Sequence, residues 1–402
     1  MFEIRTITDD EVPTFRDVVM TGFGDETESD PDGAQRMRAL VPTSQCWAAF
    51  DGGTIVATAA TLDHSVVVPG GGTLAMAGLT MVTVRPTHRR RGVLRALMGR
   101  HLDDARARGI PTSGLWSSEA AIYGRFGYGL AAEGDVLEVT DARLVDLGPA
   151  RELDELEWID EARAREALPG VFARALAARP GALVRSATWW KERRFLESPF
   201  MRDGASRRRH VLARRGAELV GYIAFRQRGG WTDGLPAGKL EIIEIVGIDA
   251  RAEATLWRLA LRVDLFPTVI WGNAPTDDAL AWTVANPRQI KRRRADTLWL
   301  RIEDVATALM ARTYAADGEL RFSVDERSWH MVVEHGRAVR CAEAGDGADL
   351  AMSRAALGAL YLGGVLASRL ARADVIAGGP AALALADRMF ASPRAPWCPD
   401  LF

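Results

Sequence analysis

The chain has 402 residues, 48% of them apolar, with Lys+Arg 51 against Asp+Glu 53. That length makes two or three domains, and the near balance of charge argues against a whole-protein pull toward nucleic acid or anionic membrane. The three cysteines, Cys46, Cys341 and Cys398, are odd in number and lack CxxC spacing, which argues against a disulfide framework and a zinc site, so no metal is expected. No apolar run approaches the roughly 20 residues that span a bilayer, and MFEIRTITDDEVP lacks the apolar core of a signal peptide. A cytoplasmic protein with no membrane or nucleic-acid partner is expected.

In chain order, the first feature is GFGDETESDPDG, where Asp25, Glu26, Glu28, Asp30 and Asp32 crowd together. Such a run is either a solvated loop or a rim that attracts polycations. AAFDGGTIVATAATL then reads as two strands about a Gly-Gly turn. Leu79 to Val84 is apolar like a buried strand. RPTHRRRG follows as a turn. From Gly92 on, Leu94, Leu97, Met98, Leu102 and Ala105 form a helical stripe that Gly109 and Pro111 end. The triple arginine and Gly92 therefore stand on a strand-to-helix turn. The first N–H groups of a helix lack intrahelical partners and the dipole there is positive, so the turn can hold an anion. Gly92 leaves the backbone approachable, and Arg89, Arg90 and Arg91 can add charge-assisted hydrogen bonds. TSGLWSSEAAIYGRFGYG supplies a further short strand, a short helix and an aromatic turn.

A second copy of this order follows. Residues 151–198 read as helices, HVLARRGAELVGYIAFRQR as a second hairpin, and KLEIIEIVGIDARAEATLWRLALRV as strand, turn and helix. Setting TLWRLAL on GVLRALM puts Thr255 in the place of Gly92 and brings in Glu253, whose charge repels phosphate. The basic run Lys291 to Arg294 reads as a solvated connector. Residues 296–402 alternate strands with apolar helices and end in PRAPWCPDLF.

RRRGVL, within the order hairpin, strand, turn, helix, strand and aromatic turn, resembles the pyrophosphate loop of the GCN5-related N-acetyltransferase superfamily. With the degenerate second copy and a C-terminal part that resembles a sterol-carrier domain, the whole chain is similar to the Eis (enhanced intracellular survival) aminoglycoside N-acetyltransferases. The segments that carry this are VRPTHRRRGVLRALM, SSEAAIYGRFGYG, DTLWLRIEDV and the final Phe402. The resemblance implies an α/β (α+β) fold of tandem acetyltransferase domains, the second degenerate, plus a sterol-carrier-like α+β domain. The boundaries expected are 1–145, 146–290 and 291–402.

It also implies acetyl-CoA as cosubstrate and a polyamine or aminoglycoside as acceptor, in a homohexamer. Backbone at Val82 and Val84 would pair with pantetheine. Arg89, Arg90, Arg91, Gly92, Val93 and Leu94 would hold the pyrophosphate, and Ser118 would touch the cofactor. Tyr123 would be the general acid, a role that suits a hydroxyl whose ordinary pKa is near 10; Tyr128 would pack the turn. The α-carboxylate of Phe402 would be the general base. Phe23, Asp25 and Glu26 would line the amine pocket. Met37 stands where the family has a pocket tryptophan, and Leu401, with Asp400 before it, where mycobacterial members have an acidic residue. Two other readings share this scaffold: a protein or peptide N-acetyltransferase, and a non-enzymatic lipid carrier, which would have no need of Arg89–Gly92 or Tyr123.

Overall fold

The computed structural model describes residues 2–26, 30–147, 152–197, 202–345 and 347–402. The chain divides into two compact units. The first comprises Met1–Ala132, Pro180–Val184 and Asp296–Phe402; the second comprises Glu133–Arg179 and Arg185–Ala295.

The first unit is built on a seven-stranded sheet. Its strands are β1 (Glu3–Thr6), β2 (Cys46–Asp51), β3 (Thr54–Val67), β4 (Thr73–Val84), β5 (Thr112–Trp116), β6 (Gly129–Leu130) and β16 (Leu298–Ile302), in spatial order β1-β2-β3-β4-β5-β16-β6. Helix α1 (Val12–Phe23) is followed by α2 (Gly33–Leu40) and α3 (Val93–Ala107). Alternation along β3 sorts the two faces. Ala57 and Ala59 join the core that α3 fills with Leu97, Met98 and Leu102. Thr58 points the other way, to Thr83, against which Gly22 of α1 packs. So α3 and α1 cover opposite faces. Of the helical stripe expected from Leu94 to Ala105, Leu97, Met98, Leu102 and Ala105 are buried and Leu94 is half-buried, and the buried side of α3 also holds His101.

The second unit holds another seven-stranded sheet, of β7 (Glu133–Val139), β8 (Glu155–Ile159), β9 (Arg209–Arg215), β10 (Glu218–Arg228), β13 (Lys239–Gly247), β14 (Thr268–Pro275) and β15 (Ile290–Asp296), ordered β15-β7-β14-β13-β10-β9-β8. A small ribbon, β11 (Trp231–Thr232) with β12 (Leu235–Pro236), lies beside it in sequence. Helix α4 spans Glu161–Ala175 and α5 spans Ala250–Ala260. The part of 151–198 expected to be helical also contributes β8, the edge strand.

Strand assignment differs from the expected boundaries at both junctions. Glu133–Val139 pairs with β14 in the second sheet, while Leu298–Ile302 pairs antiparallel with β5 and β6 in the first. Lys291 to Arg294 form an edge strand rather than a connector. Its charges face carboxylates of β7: Arg294 Nε lies 3.0 Å from Asp135, and Lys291 Nζ 3.4 Å from Glu138. Pairing of unlike charges across neighbouring strands lets so basic a stretch join a sheet.

The remaining five-stranded sheet, within the first unit, is ordered β19-β18-β17-β20-β21 from strands Arg337–Glu343, Arg327–Glu334, Gly318–Val324, Leu350–Met352 and Ile376–Gly378. Helix α6 (Val305–Ala311) is followed by α7 (Arg354–Tyr361), which packs directly on β16: a Cβ on Gly358 would overlap the Leu300 carbonyl. The last stretch, 391–402, has no regular structure, yet Trp397, Cys398, Asp400 and Phe402 are all buried. No described helix is long and apolar enough to cross a membrane.

Candidate active site

Strands β4 and β5 run parallel but pair only from Met76–Thr112 to Gly78–Gly114. Beyond Gly78 the strands part. From Leu79 to Val84 the β5-facing edge of β4 has no strand partner among the described residues. Its other edge stays paired to β3, with a bulge opposite Ala59. Met81 sits in the bulge with φ 54°, and Thr58 Oγ1 donates to its carbonyl at 2.7 Å. A left-handed non-glycine residue is costly, and its side-chain brace fixes the bend at the fork. Val82 and Val84 lie on this open stretch, where backbone groups can take up an extended ligand as an added strand.

The turn after β4 presents an open helix N-terminus to an anion. Arg90 (φ 62°) and Gly92 (φ 82°) are both left-handed, Gly92 caps the N-terminus of α3, and the first turn of α3 has no acidic residue. A Cβ at Gly92 would meet nothing within 4 Å, so the turn opens outward. Arg89, Arg90 and Arg91 are exposed; Val93 is buried and Leu94 half-buried. Arg89 Nε donates to the Val84 carbonyl at 3.3 Å, and the Arg91 guanidinium lies 4.7 Å over the Phe2 ring. His88 also meets Phe2 edge-on and contacts Asp51 at 3.1 Å. These contacts orient the basic turn at the helix N-terminus.

The matching turn of the second unit is altered more deeply than the sequence suggests. Strand β13 ends at Gly247 and α5 begins at Ala250, so only Ile248 and Asp249 stand where the first unit has residues 85–92. The cap is Asp249, whose carboxylate accepts from Ala252 N at 2.9 Å. Arg215 joins Asp249 to Asp154. Thr255, expected at the position of Gly92, lies inside α5 with its hydroxyl on the Arg251 carbonyl. A shortened loop and a resident carboxylate close the anion site.

Two tyrosines follow β5 and differ in freedom. Tyr128 is fully buried, and its hydroxyl lies 2.7 Å from Ser113 Oγ. Ser113 Oγ also meets His101 Nε2 at 2.7 Å and the Ala77 carbonyl at 2.9 Å, while His101 Nδ1 meets Thr61 Oγ1 at 2.7 Å. One proton pattern satisfies all four contacts. Ser113 donates to the carbonyl, so it accepts from Tyr128 O–H and from His101 Nε2–H, and bare Nδ1 accepts from Thr61. Burial, with Arg108 and Arg301 adding repulsion, pushes the imidazole pKa down to about 3 and keeps it neutral. Burial likewise pushes the Tyr128 pKa upward. Tyr123 is 8% exposed and stands edge-on to Tyr128 at 6.1 Å, and its hydroxyl has no hydrogen-bond partner among the described residues. Burial, with Glu119 second, raises its pKa, so it stays protonated.

Around the fork, Ser118 is exposed, whereas Ser117 Oγ and Trp116 Nε1 are buried without hydrogen-bond partners among the described residues. Sequence reasoning had passed over both. On the α1 side, Phe23, Asp25 and Glu26 are exposed and Met37 is buried. Asp30 is not a free part of an acidic rim. It is ion-paired with Arg16 at 3.0 Å and with Arg36. Glu28 lies outside the described residues. Asp400 is buried at 1% exposure, and the Phe402 ring lies 4.8 Å from that of His64 on the face away from α3.

Residues 3–131 and 181–302 each match an acetyltransferase (GNAT) domain family, and residues 305–399 match a sterol carrier protein domain. An uncharacterized N-acetyltransferase of Streptomyces avermitilis is 35% identical over 409 residues, covering 100% of this chain and 99% of the relative. N-acetyltransferase Eis of Mycobacterium tuberculosis is 32% identical over 360 residues, 86% of each chain. The crystal structure of Eis1 from Mycobacterium abscessus superposes with a TM-score of 0.85 at 27% identity, covering 100% of both chains. A chain with an open anion turn beside a strand fork, an erased copy of that turn and relatives matched along its full length belongs to the Eis-like N-acetyltransferases of the GNAT superfamily.

Proposed function

We propose that this N-acetyltransferase transfers acetyl groups to amines of polycationic small molecules, polyamines or aminoglycosides, at the fork between β4 and β5. Acetyl-CoA supplies the acetyl thioester. Val82 and Val84 would align its pantetheine arm, Arg89 to Leu94 would hold its pyrophosphate, and Ser118 would line its path. Forming the amide N–C bond breaks the C–S bond, so a thiolate must gain a proton and the attacking amine must lose one. Tyr123 is the donor. Its raised pKa and uncommitted hydroxyl support that role, and the Ser113 bond of Tyr128 supports a packing role for the second tyrosine. The α-carboxylate of Phe402 is the base, with Phe23, Asp25, Glu26, Met37 and Asp400 shaping the acceptor side.

The observation that carries this reading is the buried Phe402 ring, seated beside Gly78, the last paired residue before the fork. The test is acetyl-CoA turnover against polyamines, aminoglycosides and lysine peptides. Polyamines or aminoglycosides should be turned over best, and Tyr123→Phe should lower kcat by about 10²-fold with little change in the KM for acetyl-CoA. Preferred turnover of lysine peptides, or a larger loss with Tyr128→Phe than with Tyr123→Phe, would overturn the assignment.

A further inference from the structure

Gly78 pairs with Gly114 on one side and with Leu62 of β3 on the other. His64 stands two residues along β3, opposite Met76. Leu62, His64, Met76 and Gly78 therefore share the sheet face away from α3. The Phe402 ring rests on this face, 4.8 Å from the His64 ring and tilted 60° to it. A methyl group on Gly78 would stand 2.7 Å from His64 Cδ2, 3.1 Å from Phe402 Cε2 and 3.2 Å from the Leu62 carbonyl oxygen. The carbonyl is fixed in a paired strand, so the two rings would have to move. Gly78 is not among the residues of positive φ. Its backbone conformation does not call for glycine, and glycine weakens a strand interior. What the missing side chain provides is room for Phe402.

The tail behind the ring is tied to the same strand through main-chain bonds. Val67 N donates to the Ala182 carbonyl at 2.8 Å, and Gly181 N and Val184 N donate to Val67 and Ser65 carbonyls at 2.9 Å each. Trp397 N in turn donates to the Pro180 carbonyl at 2.8 Å. The chain end thus reaches its seat from a rigid support.

We propose that Gly78 and His64 are positioning residues, a socket that holds the Phe402 ring and so places the chain end at the site of acetyl transfer. The catalytic consequence rests on the transfer reading given above; the socket itself can be tested without it. Four proteins are compared: wild type, Gly78→Ala, Phe402→Leu and the double variant. Two readouts are polyamine turnover and acetyl-CoA affinity by calorimetry. The third is the rate at which carboxypeptidase A removes Phe402, followed by mass.

Gly78→Ala should speed removal of Phe402 and lower kcat by about tenfold, the cost of a misplaced group, with acetyl-CoA affinity unchanged. In the Phe402→Leu background the same methyl should cost clearly less, because the smaller side chain leaves the His64 ring room to yield, and this loss of additivity is what a stability defect alone would not produce. Should Gly78→Ala not fold, His64→Ala removes one wall without adding an atom and should also expose Phe402 to the peptidase. Equal removal rates in wild type and in the socket variants, or Gly78→Ala and Phe402→Leu effects that simply multiply, would overturn the proposal. A wild-type protein that acetylates no amine would sink the transfer reading, while the peptidase comparison still decides the socket.

Discussion

His101 should make the first unit acid-sensitive in a way that can be computed from its surroundings. Its ring is fully buried, hydrogen-bonded to Thr61 and Ser113, and holds a pKa of about 3 against about 6.5 in an unfolded chain. The folded pKa is depressed, so the unfolded state binds the extra proton and stability falls as pH drops below 6.5, levelling only below about 3. Between pH 7 and pH 5 the unfolded imidazole becomes nearly fully protonated while the folded one does not. The loss over that interval is about 2 kcal/mol. Urea unfolding of wild type and His101→Gln at both pH values isolates it, because other titrating groups contribute to both proteins alike. Wild type should lose about 2 kcal/mol more than the variant across the interval. Equal losses would mean that the histidine is hydrated or already charged, and the proton pattern linking it to Tyr128 would be wrong.

Gly92→Asp should abolish acetyl-CoA binding in calorimetry while lowering the melting temperature only modestly, since the added Cβ meets no atom within 4 Å and aspartate tolerates the left-handed backbone there better than most residues. Asp249→Ala in the second unit should instead cost about 1 kcal/mol through the lost helix cap, with cofactor affinity intact. Replacing Asp25 and Glu26 by Asn and Gln should raise the KM for a polyamine and flatten its dependence on ionic strength, as charges acting over about 10 Å at 0.1 M salt require; an unchanged KM would leave these residues as solvent-facing loop.

Local chemistry was well written in the sequence. The Gly-Gly hairpin between β2 and β3, the stripe from Leu94 to Ala105 and the strand-to-helix turn at Arg89–Gly92 all depend on residues close together in the chain. What was hidden depends on partners far away. Periodicity cannot tell which sheet Leu298–Ile302 will enter, because pairing with β5 is a matter of edge availability. Lys291 to Arg294 looked solvated because the carboxylates that accept them, Asp135 and Glu138, lie on β7. In the second unit the turn is shorter than in the first, which residue-by-residue alignment of the two helices does not reveal, so that Asp249, not Thr255, caps the helix. His101 is buried beside that stripe, and nothing in its neighbours along the chain announces Thr61 and Ser113.

The exchange of strands at the two junctions also bears on how the protein is made. Strand β5 cannot acquire its neighbour β16 until Ile302 has left the ribosome. At about 5–20 residues per second, roughly 10–40 s separate the synthesis of Trp116 from that of Ile302. During that time the nascent chain carries an apolar strand with an open edge, the kind of surface on which chains aggregate or trigger factors and holdases act. The N-terminal acetyltransferase domain cut at residue 132 would remain in that state permanently. Attempts to express it alone should therefore yield insoluble material unless Leu298–Ile302 is supplied, for instance by circular permutation.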